Sequence, residues 1–167
     1  GTKNILITGA QDAQTIGLGT TTGNMHIENT ELQRMTANTG LVLGGLTSPS
    51  KAGSMTVDGI TAAGSDNLSP VVTLVAHSDG TSVTFETAAS TFDALAVQAD
   101  DGVVVKVAIT TDTGGMYLDG DKENNSGGVD DVNTVGFTDG LTVTAKTVLT
   151  LEATTGSIVP AGALTLK

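Results

Sequence analysis

The chain is predicted to be all-β and wound as a parallel β-helix, and three observations predict it. A short module recurs along the 167 residues: a turn that ends in Gly, then about five residues of alternating apolar and polar character. Thr is abundant, at 29 residues beside 22 Gly, and its branched Cβ suits an extended, half-solvated backbone. Large rings are nearly absent, with 3 Phe, 1 Tyr and no Trp, so Val, Leu, Ile, Ala and Met must fill the interior.

The elements follow in order. Residues 1–9 (GTKNILITG) open with a strand pattern. Thr21-Thr22-Gly23 then precedes NMHIE, Asn38-Thr39-Gly40 precedes LVL, and Lys51-Ala52-Gly53 precedes SMTVD. Ser78-Asp79-Gly80 leads into TSVTFE, Asp100-Asp101-Gly102 into VVVKVAI, and Asp112-Thr113-Gly114 into GMYLD. Thr138-Asp139-Gly140 before LTVTA, Thr154-Thr155-Gly156 before SIV and Pro160-Ala161-Gly162 before ALTLK complete the series.

Within these segments the two faces separate, one for a core and one for solvent. Met25 and Ile27 oppose His26 and Glu28, and Val83 and Phe85 oppose Ser82, Thr84 and Glu86. Val103, Val105, Val107 and Ile109 oppose Val104, Lys106 and Ala108, while Leu149, Leu151 and Ala153 oppose Thr150 and Glu152. A single stretch, residues 30–35, reads as a turn or two of helix, with Asn29 or Thr30 as its N-cap and residues 38–40 as its stop.

Among all-β architectures the choice lies between a sandwich, a closed barrel and a solenoid. Monotonous aliphatic positions, the shortage of aromatic anchors and the absence of Asn-Gly hairpin signals favour the solenoid. At about 20 residues per coil and about 4.8 Å rise, residues 1–167 form a single segment of roughly eight coils with short loops, about 40 Å long. Both tips are expected to be open. Written end to start, ALTLK-GTKN-ILITG reads like the internal stretch VLTLEATTGSIV, so the ends look mutually continuous. Open tips expose unpaired backbone groups that call for another unit, and Ile5 and Ile7 at one end and Leu164 and Leu166 at the other are the expected stacking residues.

A net charge of -11 makes nucleic acid and anionic membrane surfaces poor partners. No apolar run approaches the roughly 20 residues of a membrane helix, so no membrane insertion is expected. Without Cys, thiol catalysis, disulfides and Cys-based zinc sites are excluded.

Segments such as TELQRMTANTGLVLGG, SMTVDGITAAG, ADDGVVV, TTDTGGMYLDGD and VLTLEATTGSI resemble the repeats of filamentous haemagglutinin-like proteins, giant secreted surface proteins that look like right-handed parallel β-helices. The resemblance implies a shaft segment of an extracellular fibre or adhesin at the cell surface, and no catalytic domain.

Candidate sites are few. Asp119, Asp121 and Glu123, with Asn125 beyond, offer alternate oxygen donors that could wrap Ca²⁺, although Asn124 stands where an EF-hand loop needs Gly; a solvated inserted loop is the plainer reading. Asp100-Asp101-Gly102 invites comparison with the paired carboxylates of polysaccharide hydrolases, but the Gly-His-Gly and Arg-x-Lys partners are missing, and Asp-Asp-Gly reads as a turn. His26 and His77 lack ligand-spaced partners and read as surface residues. Gly17-Leu18-Gly19 lacks the rest of a dinucleotide fingerprint, so no cofactor is implied. Asn67 and Asn124 begin Asn-x-Ser sequons in turn-rich loops and would accept a glycan if a eukaryote secretes the chain.

The functional expectation is mechanical: a non-enzymatic building block that joins copies of itself, or tandem neighbours, head to tail in an extracellular filament. The alternative is an adhesin module that presents loops such as 119–131 to a host surface or carbohydrate.

Overall fold

The computed structural model describes residues 4–125 and 132–167. The chain runs β1 (Ile5–Ile7), β2 (Gln14–Gly19), β3 (Met25–Ile27), α1 (Asn29–Leu32), β4 (Leu41–Leu43), β5 (Ala52–Asp58), α2 (Ala62–Ser65), β6 (Val72–Ala76), β7 (Val83–Phe85) and β8 (Ser90–Phe92). It continues through β9 (Leu95–Ala99), β10 (Val103–Val105), β11 (Ile109–Thr111), β12 (Met116–Asp119), β13 (Thr134–Phe137), β14 (Leu141–Thr144), β15 (Leu149–Glu152), β16 (Ser157–Pro160) and β17 (Leu164–Leu166).

These strands form three sheets, and every pairing between them is parallel. The first is ordered β1-β4-β6-β9-β12-β15, the second β16-β13-β10-β7-β5-β2-β3, and the third β17-β14-β11-β8. From β6 onward the chain visits the first, second and third sheets in turn, so each strand pairs with the one laid down a full circuit earlier. In the first two circuits α1 and α2 take the place of a third-sheet strand, α1 packing on α2 and α2 on β8. The chain is thus all-β with three all-parallel sheets, as its alternating patterns predict.

Register turns the alternation into rows. Ile5, Leu41, Val72, Leu95, Met116 and Leu149 align across the first sheet, and Ile7, Leu43, Leu74, Val97, Leu118 and Leu151 form a parallel row. In the second sheet Leu18, Val57, Phe85, Val105 and Phe137 align. The inner members of these rows belong to one continuous apolar cluster. Fully burying each such side chain stabilises the fold by roughly 1.5–3 kcal/mol. All three Phe are buried in it, so the few rings present sit in the core. Outward-facing Thr56 and Thr84, and Thr91, Thr110 and Thr144, align as well, which gives the Thr excess its place.

The spacing between aligned residues is uneven: 36, 31, 23, 21 and 33 residues separate successive members of the first-sheet row. The excess is taken up at the corners and by β3, and register across the first sheet stays continuous, whereas in the second sheet β2 shifts against β5 between Gln14 and Ile16. Gly44 marks one such corner, with φ +102°, and a Cβ there would collide with the carbonyl oxygen of Val75 on the adjacent circuit. Gly44→Ala is therefore expected to cost about 2 kcal/mol, read as a lower urea midpoint at unchanged slope.

Four expectations need correction. Residues 103–109 are not one strand: the alternation covers β10 and β11 with a bend at Lys106, Val107 and Ala108, so the run rounds a corner. The helix at 29–32 is capped by Glu28, whose N–H donates to the Glu31 carboxylate at 2.9 Å, because Asn29 is occupied elsewhere. The Asn29 amide donates to the Gly59 carbonyl at 2.7 Å and its Oδ1 accepts the Thr61 N–H at 3.1 Å. A second helical turn, α2, was not predicted, since AAGS has no apolar periodicity. Finally, β3 pairs with the outer edge of β2, so the second sheet is extended at its amino-terminal side by an extra strand.

The two faces therefore differ. β1, β3 and α1 form the amino-terminal face, with Leu6 61% exposed. At the carboxy-terminal face β15, β16 and β17 have no further strand beside them among the described residues, and Ile158 and Leu166, which continue buried rows, are 40% and 47% exposed.

Candidate functional site

Acidic residues concentrate at the corner where the chain leaves the first sheet for the second. The turn after β6 carries Asp79, the turn after β9 Asp100 and Asp101, and the segment after β12 Asp121 and Glu123. Several of these carboxylates accept backbone N–H groups from the neighbouring circuit. Asp100 Oδ2 accepts from Gly80 at 2.8 Å, Asp101 Oδ1 from Val132 at 2.7 Å, and Asp121 Oδ2 from Thr155. Two circuits nearer the start than Asp79, Asp12 accepts from Ser48 Oγ at 2.6 Å and from Lys51 N–H at 2.8 Å, and these bonds hold its carboxyl below the usual range. Aspartates at this corner thus do two jobs: they favour the turn, and they tie it to the circuit beside it.

Asp79, Asp100 and Glu123 come together across three successive circuits. One carboxylate oxygen from each lies within 4.8 Å of the other two. Asp79 and Glu123 are exposed, whereas Asp100 is completely buried. Asp100 Oδ1 has no hydrogen-bond partner among the described residues. Burial pushes the Asp100 carboxyl up, the Gly80 N–H opposes that, and the charges of Glu123, Asp79 and Asp101 add to the rise. Beside this corner His77 is half-buried with Nδ1 unpartnered among the described residues, and burial holds its imidazole below the ordinary value. Its expected surface position is corrected accordingly; His26 is exposed as expected, its Nε2 2.8 Å from the Gly19 carbonyl.

The four oxygens singled out by spacing take different places. Asp119 is buried, its Oδ1 accepting the Asp121 N–H at 3.0 Å and its Oδ2 lying 3.1 Å from the Tyr117 hydroxyl. That hydroxyl also reaches Glu152 Oε2 at 2.6 Å, and with one proton it can serve only one carboxylate as donor. Burial raises Asp119 above the carboxylate range. Asp121 is buried with Oδ1 unpartnered among the described residues, and the Asn125 backbone carbonyl accepts from Asn133 Nδ2 at 2.8 Å. Glu123 alone of the four joins the three-carboxylate group, and it meets partners from other circuits, not its own loop. In sequence Asp79 reads as a turn residue and Asp100 as part of an Asp-Asp-Gly turn set beside the paired carboxylates of hydrolases; the signal that points to both is an acidic residue just ahead of the Gly in successive turns after first-sheet strands.

Elsewhere, a depression of about 430 Å³ beside the amino-terminal face is lined by residues that include Thr20, Thr22, His26, Glu28 and Thr30, and there the Thr30 hydroxyl donates to Glu28 Oε2 at 3.3 Å. Asn67 is exposed, its amide 3.4 Å from the Gln33 carbonyl. Asn124 is exposed with φ +55°, and the Ser of its sequon lies outside the described residues. Among the described residues no helix is long and apolar enough to cross a membrane. Comparison with known proteins finds no matching family model, curated protein or solved structure.

Proposed function

We propose that the chain is a β-solenoid segment that lengthens end to end into the shaft of an extracellular filament. The order of the first sheet supports six turns instead of the roughly eight expected, because corner insertions make the mean turn longer than 20 residues. One observation carries the reading: rows that are fully buried in the middle of the stack end at Ile158 and Leu166 with nearly half of each side chain exposed. Beside them run the edges of β15, β16 and β17, unpaired among the described residues, and such edges recruit further strands.

In this arrangement β15 of one unit pairs with β1 of the next, setting Leu149 and Leu151 against Ile5 and Ile7. β16 meets β3. The third column does not continue as sheet, since β17, with Leu164 and Leu166, faces α1. Outer Thr and acidic residues keep such units apart laterally.

The wild-type chain is expected to form particles whose length grows with concentration by sedimentation and electron microscopy. Ile158→Asp combined with Leu166→Asp should leave single units with unchanged circular dichroism. A wild-type chain that stays a single unit at the highest concentration reached would overturn the proposal.

A further inference from the structure

We propose that Asp79, Asp100 and Glu123 form a binding site for a hard divalent cation of the Ca²⁺ class, held between three successive circuits. Each circuit contributes one carboxylate, from the corners after β6, β9 and β12, and the three ligand oxygens lie within 4.8 Å of one another. Three oxygens bound to a common Ca²⁺ at about 2.3–2.6 Å stand up to about 4.5 Å apart when evenly spread, which three oxygens within 4.8 Å of one another can reach by small side-chain adjustments, and an all-carboxylate set with water suits that hard, geometrically tolerant ion.

Proximity of acids alone would not make a site, and the second observation is the state of Asp100. Its side chain is wholly buried, one oxygen is satisfied by the Gly80 N–H, and the other has no partner among the described residues. A buried carboxylate oxygen in a native fold requires a donor or a cation. No Lys or Arg supplies one, because the single ion pair among the described residues joins Lys106 to Glu86 elsewhere. Asp79 and Glu123 stand at the surface beside it, leaving a route for an ion to enter and room for water to complete six to eight ligands. Asp100 is thus the buried anchor and the two exposed carboxylates close the site. The ion would neutralise part of the -11 charge where acidic residues concentrate, and it would add a tie among three circuits to the hydrogen bonds that already join them at this corner.

The test is calorimetric titration of CaCl₂ into the chelator-treated full chain at neutral pH, together with thermal unfolding with and without Ca²⁺. One equivalent should bind, and the melting temperature should rise with Ca²⁺. Glu123→Gln and Asp79→Asn alter exposed side chains and should keep the fold while weakening binding at least tenfold. Asp100→Asn should abolish both the heat and the melting shift. Absence of heat and of a shift up to about 5 mM Ca²⁺, several-fold above the roughly 1 mM weak end for extracellular sites, would overturn the proposal. Undiminished binding in the Asp79→Asn, Glu123→Gln double variant would overturn it too, and Mg²⁺ binding as tight as Ca²⁺ would overturn the choice of ion. End-to-end assembly is read separately, by particle length, and does not enter these outcomes.

Discussion

Phe85→Ala is expected to lower stability by about 4 kcal/mol, among the largest effects of a single truncation at a described residue. Phe85 is wholly buried in β7, in a row between Val57 and Val105. Parallel pairing on both sides fixes the backbone, so neighbouring circuits cannot collapse into the space that the ring leaves. The expected change is a fall in urea midpoint with an unchanged slope. Leu166→Ala is the control: it lies at the end of a row, nearly half exposed, and should cost under about 1 kcal/mol. Equal costs for the two would mean that the buried rows do not carry the stability.

The second large effect is a gain of stability on mild acidification, measured in chelator. Burial raises the carboxyls of Asp93, Asp100 and Asp119, with Asp112 and Asp66 adding to the rise at Asp93. A group raised in the folded state binds its proton earlier there than in the unfolded chain. Stability therefore increases as pH falls from each raised value toward the ordinary 3.8, and is lost as pH climbs back through the raised value. His77 acts in the opposite sense. Its folded value lies below 6.5, so the unfolded chain takes that proton first and stability falls over that window.

With three raised carboxyls against one imidazole and the lowered carboxyl of Asp12, whose opposing effect falls mainly below about pH 4.5, and a net charge of -11 that shrinks on protonation, the melting temperature should rise by several degrees between neutrality and about pH 4.5. His77→Gln should steepen the rise. Asp119→Asn, which keeps an acceptor for the Asp121 N–H, should flatten it. A wild-type profile that falls steadily with acid would sink the account.

Much of this fold was legible in the sequence because a parallel stack repeats one physical problem. Alternation at Met25–Ile27, Val83–Phe85 and Leu141–Thr144 marks strands directly, and the lack of Asn-Gly turns points to parallel pairing. Corners were less legible. Residues 103–109 alternate straight through a bend because Lys106 and Ala108 are polar or small where the chain turns, which period two cannot distinguish from a continuing strand. The third sheet was hidden for a similar reason: β8 is Ser90, Thr91 and Phe92, and its inner Ser90 serves the Ile60 N–H at 3.2 Å instead of offering an apolar mark.

The carboxylate group was legible only as residue types. Neighbours 21 and 23 positions apart, Asp79, Asp100 and Glu123 meet because circuits of that length bring equivalent corners into contact. Reading for ligands within one loop, residues 119–125, found Glu123 and missed the two that approach it through space. In a stacked fold the informative distance is the length of a turn.

The extra strand β3 and the helical turn α1 make the amino-terminal face unlike its counterpart. Any string of such units is consequently vectorial: every member points the same way, and a growing tip and a trailing tip are chemically distinct. An agent that mimics β15–β17 would block one tip and leave the other able to extend, which turns a small irregularity of folding into a means of controlling length.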